Sequence, residues 1–168
     1  VTTHKILLDR LSALMPEDSP NPFWDYSLRL YSQPSVAQSC LELQQEHNAD
    51  VNIILFLLWL GEERRLRVDP ETVKYCLNQT AAIRQQVITP LRTARKFLPK
   101  ESGPQNNRAL RTEIQLLELW AERIEQDLLF HISDHLVTSF PDHIADYPKE
   151  NLHNTAIENL GVYADLLS

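Results

Sequence analysis

The chain has 168 residues, 43% of them hydrophobic and 23% charged, with a formal net charge of −7. This is ordinary globular composition, and a chain of such length buries about 70% of its unfolded surface without needing disulfides or a metal. The negative charge argues against general nucleic-acid binding, and three glycines with no runs of β-branched residues argue against a sheet.

The expected class is all-α, a compact bundle of about seven helices in a single helical domain, 1–168. The first helix covers about 3–14, with Ile6, Leu7, Leu11 and Leu14 on one stripe. Prolines 16, 20 and 22 then enforce a loop, and Asn21-Pro22 is a helix start: asparagine caps the free N–H groups and proline fits the first turn. Helix 22–31 is apolar nearly all round, with Asp25 and Arg29 outward as an i,i+4 pair. Pro34 opens helix 34–47, whose stripe is Val36, Cys40, Leu43 and His47. Asp50 caps helix 50–66, which carries the most apolar run, Val51–Leu60. That run equals a buried strand in composition; the cap and the lack of a partner strand decide for helix. It is half the ~20 residues of a membrane span, so no span is expected.

Asp69-Pro70-Glu71 repeats the cap-then-proline signal for helix 69–98, kinked at Pro90. Ser102-Gly103-Pro104 is the clearest break in the chain. Helix 105–138 follows, its apolar positions Leu110, Ile114, Leu117, Ala121, Ile124 and Leu128 alternating at four-three spacing. The last helix covers about 149–167. Trp24, Tyr31, Phe56, Trp59, Leu117, Trp120 and Ile124 are the expected core.

Cys40 and Cys76 sit in apolar helical patterns without a C-x-x-C, which fits buried thiols in a reducing compartment. Residues Val1–Arg10 contain no apolar signal region. The expected location is the cytoplasm, and what precedes Val1 is left open.

The stretch Phe23–Leu60, FWDYSLRLYSQPSVAQSCLELQQEHNADVNIILFLLWL, is the distinctive part. Its Phe23-Trp24, Tyr31, Pro34-x-Val36, Cys40-Leu41-x-Leu43-Gln44 and Asp50-Val51-Asn52 resemble a family of small, uncharacterised proteobacterial helical proteins known only as a domain of unknown function. The chain departs from the family pattern at Ser35 and Asn48, where glycine is usual. The resemblance implies a helical, bacterial, cytoplasmic protein and no particular reaction.

Four groups of residues are candidate sites. Asp127, His131 and His135, with Asp134 adjacent, stack on one helical face at i,i+4 spacing, as a divalent metal would require. Against this, the four-three register makes the two histidines caps of the bundle seam, while the drift of an ideal helix would bring Ile132 and Leu136 inward instead. Asp142-x-x-x-Asp146 is a carboxylate pair of the kind that holds magnesium on a diphosphate, set here between prolines 141 and 148. Residues 92–112 hold six basic side chains, Arg92, Arg95, Lys96, Lys100, Arg108 and Arg111, against Glu101 alone. They either receive a phosphate, an RNA backbone or an acidic partner, or balance the acidic residues 113–168. Gln44, Asp50 and Asn52 mark a polar pocket or satisfy buried backbone; an unpaired buried Asn52 would cost about 1–3 kcal/mol, so it requires a partner.

No G-x-S-x-G, P-loop or H-E-x-x-H is present, and no cofactor is expected. The sequence is read as a non-enzymatic helical interaction or regulatory protein with a protein partner and scope for a homo-oligomer. The alternative is a metal- or small-ligand-binding bundle using Asp127, His131 and His135.

Overall fold

The computed structural model describes residues 3–15, 20–99, 104–139 and 152–168. Its helices are α1 (Thr3–Leu14), α2 (Pro22–Tyr31), α3 (Pro34–His47), α4 (Val51–Glu62), α5 (Pro70–Ile83), α6 (Thr89–Phe97), α7 (Gln105–Ser139) and α8 (Leu152–Leu167), with a π-helical turn, Arg84–Ile88, joining α5 to α6. No strand occurs among the described residues, and none of their helices is long and apolar enough to cross a membrane. The chain forms two compact units, Asn21–Gln79 with Gln126–Ser168, and Val1–Pro20 with Thr80–Glu125.

The unit built from Asn21–Gln79 and Gln126–Ser168 is organised on α4. Asp50 starts this helix by accepting the N–H groups of Asn52 and Ile53 at 2.9 and 3.3 Å, and the following apolar run is helix, as its cap dictates. Helices α2, α3 and α8 pack around it, so Ile53, Phe56, Leu57 and Leu60 are almost wholly buried. Phe23 on α2 joins Phe56 and Trp59 in one aromatic cluster, with ring centroids 5.3 and 5.5 Å away. Asn21 caps α2 through a 3.0 Å bond from the Trp24 N–H. The expected Asp25–Arg29 pair is not made: Arg29 lies over the Tyr26 ring and bonds Glu63 at 3.1 Å.

Helix α3 buries less of its stripe than expected. Cys40 is inside, whereas Leu41, Leu43 and His47 are exposed. Its end explains the departure at Asn48, which adopts φ 52. Asparagine is one of the few side chains that tolerate the left-handed region, and glycine is the usual residue there.

Helix α4 stops at Glu62, four residues before its expected end at 66. Arg65 turns left-handed at φ 56, and Leu66 and Val68 bury themselves in the core. The fully buried Asn159 of α8 takes over the backbone groups that the helix gives up. Its side-chain N–H groups donate to the carbonyls of Leu66 and Leu57 at 2.9 and 3.2 Å, and its oxygen accepts the Val68 N–H at 2.9 Å. Gly61 lets α8 come close: a Cβ there would stand 2.5 Å from the backbone N and Cα of Ala156.

In the unit built from Val1–Pro20 and Thr80–Glu125, α1 buries Leu7 and Leu11 but exposes Ile6 and Leu14. Arg10 grips Glu113 with two bonds of 2.9 and 2.8 Å. The expected helix 69–98 is interrupted next to Pro90, by the π turn Arg84–Ile88 between α5 and α6. Lacking an N–H and crowding the carbonyl four residues back, proline disrupts the ordinary α-helical ladder. The chain absorbs this with the π turn just upstream, in which the Thr89 N–H reaches the Arg84 carbonyl.

The α7 core expectation needs correction. Leu117 and Ile124 are 47% and 42% exposed, and Trp120 is only half-buried. The buried positions are Leu116, Glu118, Ala121, Arg123 and Glu125. A face carrying carboxylates is buried because arginines meet it there, and the oily face is left open. Further along α7, Leu129, Ile132 and Leu136 are buried while His131 and His135 are exposed, in line with helical drift from the four-three register.

Candidate docking groove

Helix α6 turns back antiparallel along α7, and ion pairs fix the height at which the two meet. Arg92 bonds Glu118 at 2.9 Å and Glu122 at 2.8 Å. Arg95 also holds Glu118, through its Nε and at 3.2 Å through Nη2. Arg111 donates to the carbonyls of Arg95 and Leu98, the latter at 2.9 Å. Burial alone would raise Glu118, but hydrogen bonds from Arg95 and Arg92, with their charges, hold its carboxyl below the ordinary value.

The opposite side of this hairpin is apolar. Val87, Pro90, Leu91 and Ala94 form one wall, and Leu117, Trp120, Ala121 and Ile124 the other, around an open groove of about 530 Å³. Among the described residues no charged side chain lines it. No residue of α6 is buried, so its apolar stripe spends its oily area on the groove and not on a core. Phe97, one turn beyond Ala94, is 88% exposed, and Leu110 of α7 is 52% exposed. Two rows of apolar side chains on adjoining helices, uncovered together, are uncommon on a monomer and mark surfaces that meet something.

Of the six basic residues read as a partner-binding cluster, Arg92, Arg95 and Arg111 make bonds within the hairpin. Their planar guanidinium groups match carboxylates on the next helix. Lys96 and Arg108 are exposed, and Lys100 lies outside the described residues.

Of the polar-pocket residues, Asp50 and Asn52 meet at the start of α4, where the Asp50 carboxylate accepts the Asn52 N–H. Asp50 caps α4, and its own N–H donates to the Tyr163 hydroxyl at 2.9 Å. Asn52 has the partner its burial requires, accepting from Gln126 at 2.9 Å. Gln44 stands half-exposed on α3. Among the described residues no group of three His, Cys, Asp or Glu side chains is placed to hold a metal. Asp127 accepts from Asn21 at 2.7 Å, and the His131 ring nitrogen Nδ1 lies 2.6 Å from the Asp127 backbone carbonyl. Asp142, Asp146 and residues 149–151 lie outside the described residues.

In the sequence the α7 residues of the groove look like core, which hides it. The usable signal was the second stripe, Ile83, Val87, Pro90, Leu91 and Ala94, facing the same way from a segment otherwise rich in arginine.

Among the described residues, fold and surface together define an all-helical protein with an open apolar groove. The chain belongs to the DUF2390 family, proteins of unknown function, whose family model matches residues 22–129. No curated protein and no solved structure matches it.

Proposed function

We propose that this is a non-enzymatic helical interaction protein that docks a protein partner through the α6–α7 groove. The observation that carries the reading is the joint exposure of Leu117, Ile124 and Val87 around a lining without charge. Apolar area held in a concave, ordered surface gains binding free energy without a folding cost at the moment of association. The reading places the protein in a bacterial cytoplasm; the buried thiols of Cys40 and Cys76 support a reducing compartment.

Site-specific photo-crosslinking in cells tests it, with the crosslinker at Leu117 or Ile124 and, as control, at the exposed Ser39 of α3. The expected result is a discrete adduct from both groove positions, none from Ser39, and loss of the adduct when Val87→Glu charges the opposite wall. Adducts of equal yield from Ser39, or none from the groove, would contradict the reading.

A further inference from the structure

We infer that the occupant of the groove is the same groove of a second copy of this chain, the two hairpins packing antiparallel about a two-fold axis. The inference rests on the docking reading above and names its partner.

Geometry is the first argument. Place the axis across the faces at the height of Arg92 and Leu117. The partner's Ile124 then comes over Leu110, the partner's Leu117 over Leu117, and the partner's Val87 over Phe97, a large side chain over a small one. Each α7 row, from Leu110 to Ile124, is about 21 Å long at 1.5 Å per residue. The midpoint of 87 and 97 is 92, and that of 110 and 124 is 117. The Arg92–Glu118 bond of 2.9 Å sets those midpoints at one level, so a single axis satisfies both helices. Two helical hairpins closing in this way make a four-helix arrangement with its apolar rows inside.

Charge is the second. The lining is uncharged, so two copies of a −7 chain meet there without opposing like charges. Side by side in parallel, the exposed Lys96 and Arg108 of the two tips would crowd together; antiparallel, they are kept apart. Area is the third. With large side chains presenting roughly 200 Å² each, the exposed fractions of Phe97, Leu110, Leu117 and Ile124 leave several hundred Å² bare per copy. Two such faces bury on the order of 1,000 Å², the lower bound for a specific interface. The dimer is therefore of the weak, transient class, and its association falls between about 1 µM and about 1 mM.

Sedimentation equilibrium of the full chain across that range tests the inference. Wild type should shift from monomer to dimer. Leu117→Glu and Val87→Glu, both at exposed positions and each checked by circular dichroism, should raise the dissociation constant at least tenfold. Orientation is read by disulfide trapping. The Leu110→Cys/Ile124→Cys double variant should cross-link between copies, and Leu110→Cys alone should not. A monomer throughout, or efficient cross-linking by Leu110→Cys alone, would overturn the inference. So would groove adducts in cells that contain another protein and never a second copy, although that result leaves the docking reading standing. Absence of any groove adduct removes both.

Discussion

Two glycines, one on each of two packed helices, should respond to alanine with opposite signs. Alanine is favoured over glycine in a helix by about 0.8–1.0 kcal/mol, so propensity alone would make both substitutions stabilising. At Gly161, on the exposed side of α8, an added Cβ meets nothing within 4 Å, and the full gain is expected. At Gly61 it would stand 2.5 Å from the N and Cα of Ala156 and 2.9 Å from its Cβ. The obstacle is backbone, which no rotamer change relieves, so α8 must move away from α4. Overpacking of this kind costs about 1–3 kcal/mol. Displacing α8 also loosens the bonds from Asn159 and Tyr163, at about 0.5–1.5 kcal/mol each. The net for Gly61→Ala is a loss of about 2 kcal/mol. In a urea titration followed by far-ultraviolet circular dichroism, with a slope of about 2 kcal/mol/M, its midpoint should fall by about 1 M. That of Gly161→Ala should rise by about 0.4 M on the same slope. A Gly61→Ala midpoint at or above wild type would refute the close approach of α8 to α4.

Asn159→Ala should cost about 2–5 kcal/mol in the same titration, because it orphans the Val68 N–H and the Leu66 carbonyl in a buried turn; a loss below about 0.5 kcal/mol, the scatter of ordinary surface changes, would show that water reaches them. Glu118 carries a depressed folded-state value, so its contribution to stability is complete above its ordinary pKa of 4.5 and is lost as pH falls through the depressed one. Glu118→Gln should flatten the acid limb of the stability profile below that pH, and an unchanged limb would place its arginines elsewhere. Burial, then the 2.8 Å bond to Glu62, raises Tyr26 well above the ordinary tyrosine value of 10.0. The folded state thus holds this proton, its contribution being present below pH 10 and lost as pH rises through the elevated value. Tyr26 should stay un-ionised until alkaline unfolding in a spectrophotometric titration. Tyr26→Phe should remove one tyrosine from that late step, and an unchanged late amplitude would contradict the assignment.

The helical class and most helix starts were legible because they depend on local chemistry. Asn21, Asp50 and Asp69 each accept a nearby helix N–H, a bond set by residues adjacent in sequence. Helix ends were less legible. Nothing near Glu62 announces that the helix stops, because the competing bonds come from Asn159, far along the chain. The π turn at Arg84–Ile88 was hidden for a related reason: Pro90 requires some relief, and sequence does not choose between a kink and a π turn. At the groove, periodicity identified an apolar stripe on α7 correctly but could not say which face of the helix would be covered. That depended on whether Glu118 and Glu125 found partners. Arg92 and Arg95 supplied them for Glu118, and Arg84 approaches Glu125 at 3.5 Å. Paired in this way the charged face is buried, and the oily one stays open.

The central claim is that the α7 stripe faces solvent in the isolated chain and is covered on association. Thiol labelling of Leu117→Cys reads this directly, since the native Cys40 and Cys76 are buried, and burial pushes the Cys76 thiol up to about 12. Residue 117 should label rapidly in native dilute protein, without denaturant, and be progressively protected as concentration rises through the dimer range. Labelling that begins only on denaturation would place Leu117 in a core and contradict the account.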